Sequence, residues 1–474
     1  MVPSQIGKQA KKAAAGAIVS HPVLSLGATR LMELEREVEQ EYRPQMLKAL
    51  EQKVQAEALT IEGQAMPCRH CGQAMKYHDR PKVSWIMRCG RLRTEAARYR
   101  CVPCHYECRP LLDYLGVEPG RISGSLARLL VVLTVIAPYE LAARLAFLLL
   151  GVKVSAMGVW RVTQRLGEAA TQYQEQLTGY HGDSRRPDSP PKEAADVVVV
   201  GVDGCALGMQ VRQQRRRRLD DGSPLSPLPP VEEGRFREVK TAVLLRPQER
   251  VQTSPGRHSL VRRVVVTCLG DADAIFSHLW AQLQELGWLG AQTMVVVVAD
   301  GAEWIWRRTW IFPRRCEILD FWHAVEKAWA FARVQYGEGS WRAEAWIHRL
   351  AQDLKAGQVQ AVIRRLQRLQ PRSQEAQKCL TELTDYYRDN ACRMRYDEYL
   401  RLGYGIGSGA VESAHKQVVH ARMRQAGMRW SEAGARRLLA LRLLLLNERW
   451  AMLDQLRMVP LPVPVAAPAA ARCA

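Results

Sequence analysis

The chain lacks any apolar run both long and clean enough to cross a bilayer. The longest, Leu129 to Leu150, is broken by Pro138, Glu140 and Arg144, so it reads as buried helices. No secretory signal is expected, since Ser20, His21 and Pro22 cut the short apolar run after Lys11 and Lys12 before any convincing cleavage site. No internal repeat is visible. Acidic residues are in deficit: 48 Asp and Glu against 68 Lys and Arg leave a formal charge of +20 and a sequence pI near 9.7. Such a balance favours a polyanionic partner, nucleic acid ahead of an acidic membrane surface. Cysteine is sparse outside one stretch. Six of the twelve fall between Cys68 and Cys108 in paired spacing and the rest are scattered, a pattern of metal binding in a reducing compartment such as bacterial cytoplasm. A soluble protein is expected. At 474 residues it exceeds what one core usually supports, so several units are expected.

Residues 28 to 60 read as helix, with Leu31, Leu34 and Val38, then Leu47, Leu50 and Val54, at helical spacing on either side of Pro44. Packing against the protein's own body is expected for this region (1–62), ahead of a dimerisation hairpin. A cysteine-rich segment follows (63–115), then an apolar helical region (116–180) and a polar, Pro-containing linker (181–195). The period then changes. Val197 to Val202, Val239 to Leu245, Val261 to Leu269 and Met294 to Ala299 are short β-branched runs bounded by turn residues, as buried strands should be. With a helix over Ala272 to Leu286 and a further strand near Cys316 to Leu319, the order is that of an α/β RNase H-like mixed sheet flanked by helices (196–325). Helical pattern fills 326–404 as an insertion. Glu412 opens another helix that continues toward Trp450 (405–458), and a Pro/Ala-rich tail (459–474) is expected to be disordered.

Cys68-Arg-His-Cys71 and Cys101-Val-Pro-Cys104 form two CxxC knuckles separated by 29 residues. Each turns two thiolates toward one tetrahedral ion, so Cys68, Cys71, Cys101 and Cys104 are the expected ligands of a structural zinc. Val83 to Met87 and Ala96 to Arg100 are expected as the hairpin strands of a zinc ribbon; His70, Cys89, His105 and Cys108 are spare candidates. Beyond the ribbon, Pro138 to Leu150, the turn Gly151 to Val154 and a helix capped by Ser155 read as a helix-turn-helix. Its second helix carries Trp160, Arg161, Gln164 and Arg165, and with Lys153 these are the expected DNA contacts.

Two apolar strands end in a carboxylate beside glycine: Val197-Val-Val-Val-Gly-Val-Asp-Gly at Asp203 and Val295-Val-Val-Val-Ala-Asp-Gly at Asp300. A charge rarely ends a buried strand without a partner, and carboxylates on neighbouring strand ends can converge on one cation. Glu412 follows the glycine-rich turn Gly405-Ile-Gly-Ser-Gly-Ala-Val, whose amides can approach a phosphate. Hard oxygen ligands suit Mg²⁺, or Mn²⁺, and two such ions serve phosphodiester chemistry. His415 and Lys416 share the helical face of Glu412 and are candidates for phosphate contact. Asp271, Asp273 and Glu303 are alternative acids. Trp304 and Trp306 are candidates for stacking on unpaired bases, with core packing expected for at least one. The run Arg215 to Arg218, followed by Pro-rich Gly222 to Pro230, reads as an exposed hairpin tip.

Gly201-Val-Asp-Gly, Ala299-Asp-Gly-Ala-Glu-Trp-Ile-Trp, Ile318-Leu-Asp-Phe-Trp-His and the block from Gly405 through Met428-Arg-Trp-Ser resemble the DDE transposases of bacterial insertion sequences, and within them the ISKra group. The resemblance covers most of residues 65 to 450, and the last block is its specific part. It implies an RNase H-like core using Asp203, Asp300 and Glu412, with a helical insertion before the glutamate. Asp320 and His323 match the C/DxxH feature of related transposases near the active site. The expected function is Mg²⁺-dependent cleavage and strand transfer at the inverted repeats of an insertion sequence, by a cytoplasmic protein that is a homodimer or larger on DNA. A nuclease or resolvase using the same acids, or a non-catalytic repressor, are the alternatives.

Overall fold

The computed structural model describes residues 30–62, 66–117, 122–181, 194–210, 236–254, 257–260 and 262–458. The Arg215 to Arg218 run, Gly222 to Pro230, most of the 181–195 linker and the 459–474 tail lie outside these residues. Among the described residues no helix is long and apolar enough to cross a membrane. The chain divides into two compact units: one runs to Leu126 and adds Leu148–Val152, and the other comprises Ala127–Phe147 and the chain from Lys153 onward. The amino-terminal helix and the cysteine-rich segment, expected as separate regions, therefore share a unit. The helix-turn-helix region falls largely with the strand-rich part.

In the first unit, α1 (Arg30–Ile61) is one continuous helix with Pro44 inside it. Its second half buries a seam. Leu50, Val54, Ala58 and Ile61 recur at three- and four-residue intervals and pack on Val83, Trp85, Leu92, Ala96 and Leu111. The strands pair differently from expectation: β2 (Lys82–Met87) forms a hairpin with β3 (Gly90–Glu95), while β1 (Lys76–Asp79) pairs with β4 (Arg98–Arg100), which also pairs with β5 (Glu107–Cys108). Alternation explains the first pairing. Val83 and Trp85 face Leu92 and Thr94 across the ladder with their buried sides toward α1, leaving Lys82, Arg91 and Arg93 outward. A short helix, α2 (Pro110–Tyr114), follows with Pro110 in its first turn.

The second unit is built on a five-stranded sheet in the order β10-β7-β6-β11-β12. These strands are β6 (Val197–Gly208), β7 (Phe236–Leu245), β10 (Val264–Cys268), β11 (Met294–Ala299) and β12 (Arg315–Leu319); β8 (Arg250–Ser254) and β9 (Arg257–Leu260) form a separate hairpin between β7 and β10. Strand β7 runs antiparallel to β6 and β10, whereas β6, β11 and β12 run parallel. The parallel strands are valine runs because both faces are covered. One face packs against Ile275, Phe276, Leu279 and Leu283 of α6 (Ala272–Glu285). Three helices precede the sheet: α3 (Gly124–Ile136), α4 (Tyr139–Leu150) and α5 (Ala156–His181), of which the first two begin or end in the other unit. A short α7 (Glu303–Trp306) separates β11 from β12. Five helices then fill the expected insertion region: α8 (Phe321–Tyr336), α9 (Trp341–Lys355), α10 (Val359–Arg368), α11 (Gln374–Asn390) and α12 (Tyr396–Arg401). The helix bearing Glu412 does not continue toward Trp450. Instead α13 (Gly409–His415) widens into a π-helical turn at Lys416–His420, the chain turns near Gly427, Trp430 bridges to Met209, and α14 (Glu432–Leu446) begins under a Ser431 cap.

Candidate functional site

Asp203 and Asp300 are brought together by strand register. In the parallel β6–β11 ladder Val202 pairs with Ala299, so each aspartate is the next residue along, on adjacent strands about 4.8 Å apart. Asp203 accepts the Gly204 amide at 2.7 Å and Asp300 the Ala302 amide at 3.1 Å. Burial pushes the Asp300 carboxyl up, the Ala302 amide opposes this, and the Asp203 and Glu238 charges add to the rise. His415, 4% exposed, sets Nδ1 3.3 Å from Asp203 Oδ2, and its Nε2 has no hydrogen-bond partner. Helix α13 reaches this face of the sheet through Val411, whose side chain touches Gly201 so closely that a Cβ there would lie 3.4 Å from it. Two buried arginines hold the segment after α13: Arg442 donates to the carbonyls of Gln417, Val418 and Val135, and Arg422 donates to Thr134 O at 2.8 Å.

Glu412 stands apart from the two aspartates. It is well exposed and ion-paired with Lys416 at 2.8 Å, so Lys416 occupies the acid instead of a free phosphate position. Among the described residues the four cysteines form the one group of three or more potential ligands within 4.8 Å of one another; Asp203, Asp300 and Glu412 do not.

Asp320 is a buried organiser, 1% exposed. Its Oδ1 accepts the His323 amide at 2.9 Å, capping α8, and its Oδ2 accepts the Ser408 amide of the glycine-rich turn. Its own N–H donates to Ala299 O at 2.7 Å, and the Phe321 N–H donates to Ile406 O at 2.9 Å. One residue thus ties the end of β11, the start of α8 and the turn before Glu412. Burial pushes the Asp320 carboxyl up, but His323 and Ser408, through side chains and amides, hold it down at about 2. Conversely the Asp320 carboxylate raises His323 to about 9 against partial burial, with smaller help from Asp300 and Asp203, so at neutral pH a cation faces the aspartates. The Ser408 amide, expected to be free for a phosphate, is already used.

The alternative acids have local employment. Asp271 caps α6 by accepting the Ala274 amide at 2.8 Å, Asp273 pairs with Arg308, and Glu303 pairs with Arg307. Trp304 and Trp306 pack partly against the core under cations, Lys240 Nζ lying 4.5 Å and the Arg393 guanidinium 4.6 Å from their ring centres. Both are therefore packing residues here. Two neighbours of the aspartates, and one residue beside the glycine-rich turn, were not singled out in the sequence. Glu238, bonded by Lys240, fills the space above Gly204; Tyr386 of α11 lies over Gly301, where a Cβ would meet its ring at 2.3 Å; and Trp322, 64% exposed, borders Gly407. Glycine beside each aspartate, and Gly407 in the glycine-rich turn, carried the signal for such close approaches but not the identity of the partner.

The four cysteines do converge. Cys68 Sγ lies 3.5 Å from Cys104 Sγ, and Cys71 Sγ lies 3.4 Å from Cys101 Sγ and 3.7 Å from Cys104 Sγ. Tetrahedral thiolates at 2.3 Å from zinc would be separated by roughly 3.8 Å, so the set fits such an ion. The knuckles are built alike: Cys68 N–H donates to Gln73 O at 2.7 Å and Cys101 N–H to Tyr106 O at 2.8 Å, with Gly72 and His105 in the left-handed region directly after the second cysteine. Burial raises the Cys68 thiol, yet the Cys71 and His70 amides hold it down at about 7, where thiolate is accessible. His70 stacks on Tyr106, Cys108 donates to Met75 Sδ, and Cys89 and His105 stay outside the cluster.

Around the expected helix-turn-helix, Ser155 caps α5 by accepting the Gly158 amide at 3.0 Å, and Gly151 takes φ +66° in the turn. Arg161 and Lys153 are exposed, Lys153 lying over Phe147, and Arg165 is half-buried. Gln164 is turned inward: it is buried and accepts from Arg437 at 3.1 Å, so it does not project toward a groove. The helical period places Gln164 with Gly167 and Glu168, both of which also meet Arg437.

No protein-family model matches the chain, and no curated protein matches it at a significant level.

Proposed function

We propose that this chain is a metal-dependent polynucleotidyl transferase built on an RNase H-like sheet. Within that class our reading is a DDE transposase of the ISKra type, which binds the inverted repeats of an insertion sequence, cleaves at the ends and joins the freed 3′-hydroxyl to target DNA. The observation that carries it is the in-register placement of Asp203, inside β6, and Asp300, directly after β11, where the parallel pairing of the two strands ends; the mixed five-stranded sheet supports the reading. The net charge of +20 supports a DNA partner.

Asp203 and Asp300 fit a Mg²⁺ or Mn²⁺ ion, because a cation between them offsets the burial and repulsion that raise Asp300. Glu412 fits as a further ligand once released from Lys416. Bound there, the metal would supply charge for the attacking and leaving oxygens of a phosphodiester. The chain's own groups do the rest. Asp320 orients the turn before Glu412, protonated His323 faces the phosphate side of the aspartates, and exposed Trp322 offers a ring for an unpaired base. Zinc on Cys68, Cys71, Cys101 and Cys104 would organise its own unit, and Arg161 and Lys153 lead the DNA-contact set. The setting is bacterial cytoplasm.

The exposed, Lys416-paired state of Glu412 favours one rival, a nuclease or resolvase that relies on Asp203 and Asp300 alone. Purified protein, labelled element ends, target plasmid and Mg²⁺ separate the two. Asp203→Asn, Asp300→Asn and Glu412→Gln should each abolish joined products while end binding survives. Cleavage without joining by the parent, undiminished in Glu412→Gln, would select the nuclease.

A further inference from the structure

The first half of α1 carries an apolar stripe that the protein's first unit does not cover. Leu31, Leu34, Val38, Tyr42 and Met46 follow one another at three- and four-residue steps and are 66%, 41%, 53%, 50% and 56% exposed. At about 100° per residue this stripe lies roughly 130° around the helix from the Leu50, Val54, Ala58 and Ile61 seam, so the β2–β3 hairpin cannot reach it. The same face continues along the second half as small, exposed positions, Ala49 and Ala56, with Lys53 between them.

The charges beside this face are arranged by half. Acidic Glu35 and Glu41 flank it before Pro44, and basic Lys48 and Lys53 flank it after; none of the four has an ion-pair partner among the described residues, although Arg30 and Arg43 are paired with Glu33, Glu37 and Glu39. A second copy of the helix laid antiparallel, on a twofold axis near Pro44, sets Glu35 against Lys53 and Glu41 against Lys48, each twice. In that register Leu31 meets Ala56 and Val38 meets Ala49, large side chains over small ones, as close helix packing needs. Parallel alignment instead sets acid beside acid. Pro44 points to the far side of the helix, about 140° from the stripe centre, so its ring does not intrude.

We propose that α1 is a homodimerisation element, pairing antiparallel with α1 of a second copy through Leu31, Leu34, Val38 and Tyr42. The proposal does not depend on the catalytic reading.

Light scattering on the full chain without DNA, over concentrations of about 1 to 50 µM, should show a mass twice the 53.6 kDa of one chain. Val38→Glu should raise the dimer dissociation constant at least about tenfold, since it buries one unpartnered carboxylate per copy, two per dimer. Glu35→Lys with Glu41→Lys should weaken the dimer, as should Lys48→Glu with Lys53→Glu, each by about tenfold at low salt, while all four changes together should restore it. The quadruple variant guards against misfolding as an explanation. A parent that is monomeric throughout, or a dimer indifferent to Val38→Glu, overturns the proposal; failure of the fourfold reversal to restore the dimer overturns the antiparallel register.

Discussion

Asp320→Asn offers the most quantitative test of how the candidate site is held together. At neutral pH the parent carboxylate takes the His323 and Ser408 amides while buried, and the substitution replaces an ionised acceptor by a neutral amide that presents N–H groups to one of those donors. Two routes give the size of the loss. A helix cap contributes about 1 kcal/mol and a charge-assisted hydrogen bond to a buried amide about 1.5 to 3 kcal/mol. Independently, lowering the carboxyl from 3.8 to about 2 corresponds to roughly 2 to 3 kcal/mol. The sign follows from the direction: a depressed acid stabilises the fold above its unfolded value, and this contribution is lost as pH falls through about 2. Denaturant unfolding at pH 7 should therefore show Asp320→Asn about 2 to 4 kcal/mol less stable than the parent, and the gap should have narrowed by roughly 1 kcal/mol at pH 3. Strand transfer should fall with it, because the turn before Glu412 loses its anchor. A variant within about 0.5 kcal/mol of the parent at pH 7, or a gap that does not change with pH, would refute the assignment of Asp320 as an ionised buried anchor.

Removing metal from the cysteine cluster, or Cys101→Ser, should melt the first unit and leave the unfolding of the second unchanged, with mass spectrometry showing one zinc per parent chain and none in the variant. Asp300→Asn should raise the melting temperature slightly in metal-free buffer, since burial and Asp203 already disfavour its charge; a lower melting temperature would contradict that environment. His323, raised to about 9, contributes stability in full below about pH 6.5 that fades as pH climbs through 9, on the order of 1 kcal/mol after allowing for its 41% exposure; His323→Gln should flatten the parent's decline in that window. Arg161→Ala should weaken binding to element ends by about 1 to 3 kcal/mol, whereas Gln164→Ala should cost stability of about 1 kcal/mol, and equal binding losses would undo the distinction between them.

The residues themselves determined the local choices. Valine runs specify buried strands and paired CxxC spacing specifies knuckles, because both depend only on backbone period and side-chain reach; β11 stops just before Asp300 as expected, whereas β6 continues past Asp203 to Gly208 in its pairing with β7. The limits of β11, the Ser155 cap and the helical pattern of 326–404 were legible for the same reason, whereas β6 and β7 run several residues beyond their valine-rich parts. What only the tertiary structure decided is pairing and partnership. The β2–β3 hairpin, the inward turn of Gln164, the capture of the Ser408 amide by Asp320 and the engagement of Glu412 by Lys416 each rest on which neighbour fills a space. Glu238 over Gly204 and Tyr386 over Gly301 are contacts between residues 34 and 85 positions apart. No local periodicity encodes such distances, since they are settled by the packing of many elements at once.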